Sequence, residues 1–180
     1  MKLKRIDINS HGFYVREMHL TDADQYMSLM NHPEVSPFIP HQLLPKSSFD
    51  VIRTITSLKA LSATESGAYW AICNPEGKLI GACGFETWNH FHRRLELAFE
   101  LHPDYQGRGI MTQALTTIIN VGFNDMQALR IEAFTLTYNE PSIKLLKRLK
   151  FEHEATLKSY RMFNHKIHDI HLFSLINDTA

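Results

Sequence analysis

The feature that decides the fold is a short loop with the sequence Gln106-Gly107-Arg108-Gly109-Ile110-Met111-Thr112. Its two glycines let the backbone turn tightly and let a bulky group approach without interference from a Cβ atom. An apolar pattern of helical spacing follows at once, so several unpaired N–H groups and the positive end of a helix dipole face the turn. This arrangement favours a phosphate or pyrophosphate, although an ordinary turn between a strand and a helix also fits the loop alone.

Two side chains of the loop can strengthen an anion site. The Arg108 guanidinium can add a charge-assisted hydrogen bond, and the Gln106 amide can fix the loop. The loop is not a P-loop, because no Gly-Lys-Ser/Thr follows it. It is not the dinucleotide-binding fingerprint either, because Thr112 stands where that pattern requires a third glycine.

The chain on both sides of this loop alternates between strand and helix patterns. Strands are predicted over residues 13–18, 68–73, 79–88, 95–101, 131–137, 151–157 and 168–175. Helices are predicted from Thr21, from Ser47, from the glycine loop and from Pro141. We therefore expect one α/β (α+β) domain over residues 1–180, with a mixed, mostly antiparallel twisted sheet of about six to seven strands, about four helices and a central crossover helix after the loop.

The composition excludes several classes of protein. Hydrophobic residues make up 44% of the chain and charged residues 21%, with 19 acids against 19 bases, so no basic surface for nucleic acid is indicated. No apolar run reaches the roughly 18 residues that span a bilayer. The basic start of the chain lacks the apolar segment of a signal peptide, and Cys73 and Cys83 lie in apolar stretches typical of buried thiols. We expect a cytoplasmic protein.

A second motif lies about thirty residues beyond the loop, where Asn139-Glu140-Pro141-Ser142 follows a strand and opens a helix. With the lead-in His102-Pro103-Asp104-Tyr105, the two motifs make the chain resemble the GNAT superfamily of N-acetyltransferases, in particular its RimJ/RimL-like (ribosomal-protein-alanine acetyltransferase-like) branch. The resemblance extends from about Tyr14 to Leu175.

Two positions depart from the pattern of this family. Met111 replaces the small residue that usually ends the loop, and we expect its side chain to point towards the core. Lys150 replaces the glycine that usually precedes Phe151 and ends the helix in a left-handed conformation. Lys150 is therefore expected either to be strained or to end the helix differently.

The resemblance implies an enzyme that uses acetyl-CoA as cosubstrate and no metal. It implies direct transfer of the acetyl group to a primary amine, on a protein N-terminus or a small molecule, in a ternary complex. The loop would hold the pyrophosphate, and residues 99–101 of the strand would hold the pantetheine arm. The basic face of the last helix could meet the adenosine 3′-phosphate, or it could be only a solvated face. The residues expected to bind the cosubstrate are Phe99, Glu100, Leu101, Gln106, Gly107, Arg108, Gly109, Ile110, Met111, Thr112, Asn139, Ser142, Lys144 and Arg148. A homodimer is a further expectation from the resemblance.

Direct transfer needs a neutral amine and a proton for the departing thiolate. Ser142 is the candidate proton donor, with Tyr138 as a weaker one; Ser142 could instead serve only in the first helical turn. Glu96 and Glu100 lie four residues apart on one strand, so they share a face, and a buried carboxyl there could act as the base. Glu96 is preferred for that role, against the alternative of a solvated strand face paired with Arg93 or Arg94.

Two further hypotheses are weighed against this function. Metal binding by His90 and His92, or by His165, His168 and His171, is not expected, because zinc needs three or four converging ligands. A non-catalytic acyl-CoA-binding sensor with the same fold would keep the loop but lose the acid and base candidates. Ser142, Asn139 and Glu96 are all present, which favours an enzyme.

Overall fold

The computed structural model describes residues 4–8 and 11–177, which form one eight-stranded mixed sheet with four α-helices. The strands are β1 (Ile6–Asp7), β2 (Tyr14–Glu17), β3 (Ala68–Cys73), β4 (Leu79–Asn89), β5 (Arg94–Leu101), β6 (Arg130–Leu136), β7 (Glu152–Phe163) and β8 (Lys166–Ile176). The helices are α1 (Ala23–Met30), α2 (Ser48–Ala63), α3 (Ile110–Asn124) and α4 (Glu140–Arg148). The fold class, the four helices and the crossover helix α3 agree with the prediction.

The sheet has one strand more than the sequence predicted. The additional strand, β1, is only two residues long, and so short a strand leaves no alternation of apolar and polar residues to recognise. Strands β7 and β8 are also longer than predicted. The prediction missed the residues near their shared hairpin because most of them are polar and exposed.

The sheet opens between β5 and β6, the only parallel pair among the described strands. The spatial order is β1-β2-β3-β4-β5-β6-β8-β7, and every pair except β5 with β6 is antiparallel. The parallel pairing runs from Arg94↔Arg130 to Leu97↔Ala133 and then stops, although both strands continue. The two strands therefore part at their carboxyl ends, where the glycine loop and the start of α4 also lie.

The strand β5 separates the two halves of the core. Leu95 and Leu97 are buried in the cluster that contains residues of α3 and α4. The alternate residue Ala98 packs instead against the cluster formed with α1 and α2. Because side chains alternate along a strand, Glu96 and Glu100 lie on the α1 and α2 side.

Lys150 ends helix α4 in the left-handed conformation that the family normally gives to glycine. Its φ is 69°. The N–H of Lys150 donates to the carbonyl of Lys147 at 3.1 Å, and the N–H of Phe151 donates to the carbonyl of Leu146 at 3.0 Å. These two bonds form a Schellman motif. The helix therefore ends in the same motif that a glycine would form. Of the two expected outcomes, Lys150 adopts the strained one.

Lys150→Gly is expected to stabilise the protein by about 0.5–1 kcal/mol, because relief of the left-handed strain exceeds the added entropy of the unfolded chain. Thermal unfolding should show a rise in Tm of about 1–4 °C. Lys147→Gly, at an exposed position inside the same helix, is the matched control and should destabilise by about 1 kcal/mol. A loss of stability in Lys150→Gly would contradict the strain.

Candidate active site

The gap between β5 and β6 opens into a cavity of about 950 Å³. Its walls include β5 from Leu97 to Leu101, β6 from Ala133 to Leu136, the glycine loop and the start of α4. It continues past β5 to α1, α2 and the loop that carries Val35 and Phe38. One cavity therefore connects the anion loop to the face that bears Glu96 and Glu100.

The glycine loop has the geometry of an anion cradle. Gly107 and Gly109 have φ values of 71° and 74°, and a Cβ atom on either would meet nothing within 4 Å. Gly109 caps α3, so the first N–H groups of that helix lack intrahelical acceptors. The Gln106 amide donates to the carbonyl of Leu101 at 3.1 Å and ties the loop to β5, as predicted.

The other loop residues divide between core and surface. Ile110 and Met111 are buried in the core on the α3 side while also bordering the cavity, which agrees with the inward orientation expected for Met111. Thr112 lines the cavity and is half-buried. Arg108 is exposed and outside the cavity wall, with its guanidinium 5.6 Å from the centroid of the Tyr105 ring.

The start of α4 forms the opposite wall of the cavity. The Asn139 side chain accepts a hydrogen bond from the backbone N–H of Ser142 at 3.3 Å, so it is an N-cap. Asn139, Ser142, Lys144 and Arg148 all line the cavity. Capping and ligand contact are therefore compatible for Asn139. The structure also brings the two basic residues of α4 to the same cleft as the glycine loop.

Tyr138 lies outside the cavity wall. Its side chain is 49% exposed. Its ring packs 6.3 Å from the ring of Phe38 and 5.8 Å from that of His168, measured between centroids. The structure thus does not bring Tyr138 together with the other candidate catalytic residues.

Glu100 is held by two tyrosine hydroxyls. Tyr26 donates to Oε1 and Tyr69 donates to Oε2, each at 2.9 Å. Burial raises the pKa of Glu100 to about 7, although the two hydrogen bonds act in the opposite direction. The cavity therefore contains a carboxyl that titrates near neutral pH. Sequence reasoning missed both tyrosines, since each occupies an apolar position of α1 or β3.

Glu96 also lines the cavity but lacks the arginine partners considered for it. The Thr87 hydroxyl donates to its Oε2 at 3.4 Å. Arg94 instead pairs with Glu132 at 3.3 Å, and the Arg93 guanidinium donates to the carbonyl of Gln127 at 2.7 Å. The pairing of Glu96 with Arg93 or Arg94, which the alternative of a solvated strand face required, is therefore wrong.

Glu86 and Arg161 are among the charged residues of the cavity that were not found from the sequence. The register of β4 shifts between Phe85 and Thr87, and Glu86 at this bulge lines the cavity. Desolvation and the nearby Glu96 carboxylate raise the pKa of Glu86. Arg161, from β7, lines the same end. Glu86 could have been noticed, because it is a carboxylate directly after the apolar run of β4. The sequence contains no comparable signal for Arg161.

The histidines do not converge on a metal site in the part of the chain that the structure describes. No group of three or more His, Cys, Asp or Glu side chains there could hold a metal ion. His153 and His171 pair across β7 and β8, with Nε2 and Nδ1 3.0 Å apart. Burial and the neighbouring His153 lower the pKa of His171.

None of the described helices is both long and apolar enough for a transmembrane segment.

Fold and cleft together define an acyltransferase of the GNAT type, and comparison with known proteins identifies the family. The acetyltransferase (GNAT) domain model matches residues 13–152, so the chain belongs to this family. An uncharacterized N-acetyltransferase, p20, of Bacillus licheniformis is 30% identical over 166 residues, which are 90% of this chain and 91% of that protein.

Solved structures agree with this assignment. The ribosomal-protein-S5-alanine acetyltransferase of Vibrio fischeri has a TM-score of 0.84 at 25% identity, covering 97% of this chain and 98% of that one. RimL, a ribosomal L7/L12 α-N-protein acetyltransferase in complex with coenzyme A, has a TM-score of 0.89 at 17% identity, covering 98% and 100%. The resemblance to the RimJ/RimL-like branch is confirmed. The chain is an N-acetyltransferase of this family.

Proposed function

We propose that this enzyme transfers the acetyl group of acetyl-CoA directly to a primary amine, on a protein N-terminus or a small molecule, within a ternary complex. One observation carries the proposal. A single cavity joins the anion loop at Gly107 and Gly109 to Glu100, a carboxyl whose pKa is about 7. Donor and acceptor can therefore meet in one cleft, beside a group that can take up a proton.

The donor end of the cleft fits acetyl-CoA. The open cradle at Gly107 and Gly109 and the free N–H groups of α3 suit the pyrophosphate. The unpaired edge of β5 suits the pantetheine arm, which would lie along Phe99, Glu100 and Leu101 like an added strand. An N–H of this strand is also the candidate donor to the thioester oxygen as that oxygen gains charge.

Further contacts to the cosubstrate come from α4 and the loop. Lys144 and Arg148 would meet the adenosine 3′-phosphate, and Asn139 would order the pantetheine arm while capping its helix. Arg108, which lies outside the cavity wall, would reach a phosphate only from the solvent side.

The acceptor end carries the groups for proton transfer. We propose Glu100 as the base, because a carboxyl with a pKa near 7 can accept the ammonium proton at neutral pH, directly or through water. This replaces the preference for Glu96, which together with Glu86 would hold the cationic amine before deprotonation. Ser142 would donate a proton to the departing thiolate. Tyr138 is a weaker candidate, because its ring is packed outside the cavity.

An assay of coenzyme A release tests the function. The protein with acetyl-CoA should release free thiol only when an accepted amine is present, and the amine product should gain one acetyl group by mass spectrometry. The amine panel includes peptides with free N-terminal alanine or serine, a polyamine and free amino acids, each compared with its N-blocked form. Tight acetyl-CoA binding without thiol release for any amine would instead support the acyl-CoA-binding sensor.

The oligomeric state and the compartment stay predictions. A homodimer would elute from gel filtration well above the chain mass of 20.8 kDa, and a mass near that value would contradict it. A cytoplasmic location agrees with the two buried, unpaired thiols of Cys73 and Cys83.

A further inference from the structure

The hydroxyl of Thr135 lacks a hydrogen-bond partner although it is buried. The residue is 7% exposed, and its Oγ1 has no hydrogen-bond partner. Buried hydroxyl groups in folded proteins are nearly always hydrogen-bonded, because an unsatisfied one loses its water without compensation. An isosteric valine would avoid this loss, so the hydroxyl needs an explanation outside the packing of the chain.

The position of Thr135 supplies that explanation. It lies on β6 two residues beyond Ala133, the last residue of β6 that pairs with β5, and it lines the cavity. Alternation along the strand places its side chain on the same face as Ala133, whose cluster includes Ile143 and Leu146 of α4. Thr135 therefore lies in the wall of the cleft, on the side from which α4 contributes Asn139 and Ser142.

The second orphaned group among the described residues, the indole N–H of Trp70, shows the contrast. Trp70 is 1% exposed, packs edge-on against Phe85 and does not line the cavity. No ligand in the cleft could reach it without unpacking the core. Of the buried, unsatisfied side-chain atoms in the described residues, only Oγ1 of Thr135 belongs to a residue in the wall of the cleft.

We propose that Thr135 is a binding residue for the cosubstrate, whose hydroxyl is satisfied only when the pantetheine arm of acetyl-CoA occupies the gap between β5 and β6. The inference rests on the proposed function. The pyrophosphate at the glycine loop fixes one end of the cosubstrate, and the acetyl group must meet the amine that Glu100 deprotonates, on the far side of β5. The amide-containing middle therefore passes Thr135. A hydroxyl both donates and accepts, which matches either the C=O or the N–H of an amide.

The proposal predicts opposite effects of one substitution on folding and on binding. Thr135→Val keeps the shape and removes the orphaned hydroxyl, so the ligand-free protein should unfold at an equal or higher temperature than wild type. The same change removes a hydrogen bond to the ligand, so the Kd for coenzyme A should rise about 3- to 10-fold. Calorimetric titration with coenzyme A and thermal unfolding without ligand measure the two effects.

Two control variants separate this role from a structural one. Thr135→Ser keeps the hydroxyl and should keep the coenzyme A affinity within about twofold of wild type, since the hydrogen bond survives. Thr116→Val removes a hydroxyl that donates to the carbonyl of Thr112 at 2.9 Å, on an exposed position of α3 outside the cavity wall. It should leave the coenzyme A affinity unchanged. In turnover, Thr135→Val should raise KM for acetyl-CoA more than it lowers kcat.

The outcomes divide clearly. A Thr135→Val variant that is less stable than wild type and binds coenzyme A equally well would show that the hydroxyl serves the fold, and would overturn the inference. Equal binding with unchanged stability would overturn it as well. In both cases the wild type still binds coenzyme A and transfers acetyl groups, so the proposed function stands. A wild-type protein that does not bind coenzyme A would overturn both.

Discussion

Gly109→Glu is expected to weaken binding of acetyl-CoA by about 100-fold or more, equivalent to roughly 2.7 kcal/mol. Gly109 caps α3 in the left-handed conformation, and the space beside its Cα is open. A glutamate would place a carboxylate in that space, where it repels the pyrophosphate and competes for the same N–H groups. Calorimetric titration of both proteins with acetyl-CoA measures the difference.

Gly109→Ala is the matched control for this substitution. Both variants force a non-glycine residue to a φ of 74°, a strain of about 1–2 kcal/mol that thermal unfolding will show in each. Only the glutamate adds charge and bulk to the cradle. We therefore expect the alanine variant to lose much less affinity. Equal affinity of wild type and Gly109→Glu would remove the pyrophosphate from this loop.

Glu100→Gln is expected to lower kcat by about 10²- to 10⁴-fold, the usual contribution of a general base. In the wild type, kcat/KM should rise with pH through about 7, because the base works only when Glu100 is ionised. The variant should lose this rise. A pH–rate profile of both proteins, at saturating acetyl-CoA, measures it. Glu96→Gln is the matched comparison, and loss of the rise in that variant alone would assign the base to Glu96.

The same carboxyl links pH to stability. The pKa of Glu100 in the folded protein is about 7, above the usual glutamate value of 4.5. The folded state therefore holds this proton at a pH where the unfolded state has released it. Its contribution to stability is greatest below about 4.5 and falls as the pH rises through about 7. Glu100→Gln should remove that fall, so its stability relative to wild type should increase between these two values.

The two helix starts that border the cleft could be predicted because their signals are local. The two glycines before α3 and the Asn139–Ser142 segment before α4 each determine a helix start within a few residues. Local sequence also indicated that Lys150, in place of the usual glycine, would be strained or would end the helix differently. The structure shows the strained, left-handed conformation. Such features depend on backbone preferences that one short segment contains.

The acceptor end could not be predicted to the same extent, because it depends on register and on contacts between distant segments. Tyr26 is 74 residues from Glu100 along the chain, and its hydroxyl finds the carboxylate only when α1 packs on the sheet. Glu86 reaches the cavity through a bulge that shifts the register of β4 by one residue. A single sequence contains no periodicity that predicts a bulge at that position. The orphaned hydroxyl of Thr135 is likewise visible only once its neighbours are known.

The parting of β5 from β6 also bears on how such an enzyme can change its substrate. The unpaired edge of β5 presents backbone N–H and C=O groups, which nearly every amino acid supplies. Binding of the donor at this edge therefore depends little on the side chains of β5. The side chains that β5 directs towards α1 and α2, such as Glu96 and Ala98, line the cavity and can vary with the acceptor. Binding of the donor along β5 can therefore stay the same while the residues that contact the acceptor change. A new acceptor specificity could arise in this scaffold without loss of the old cosubstrate.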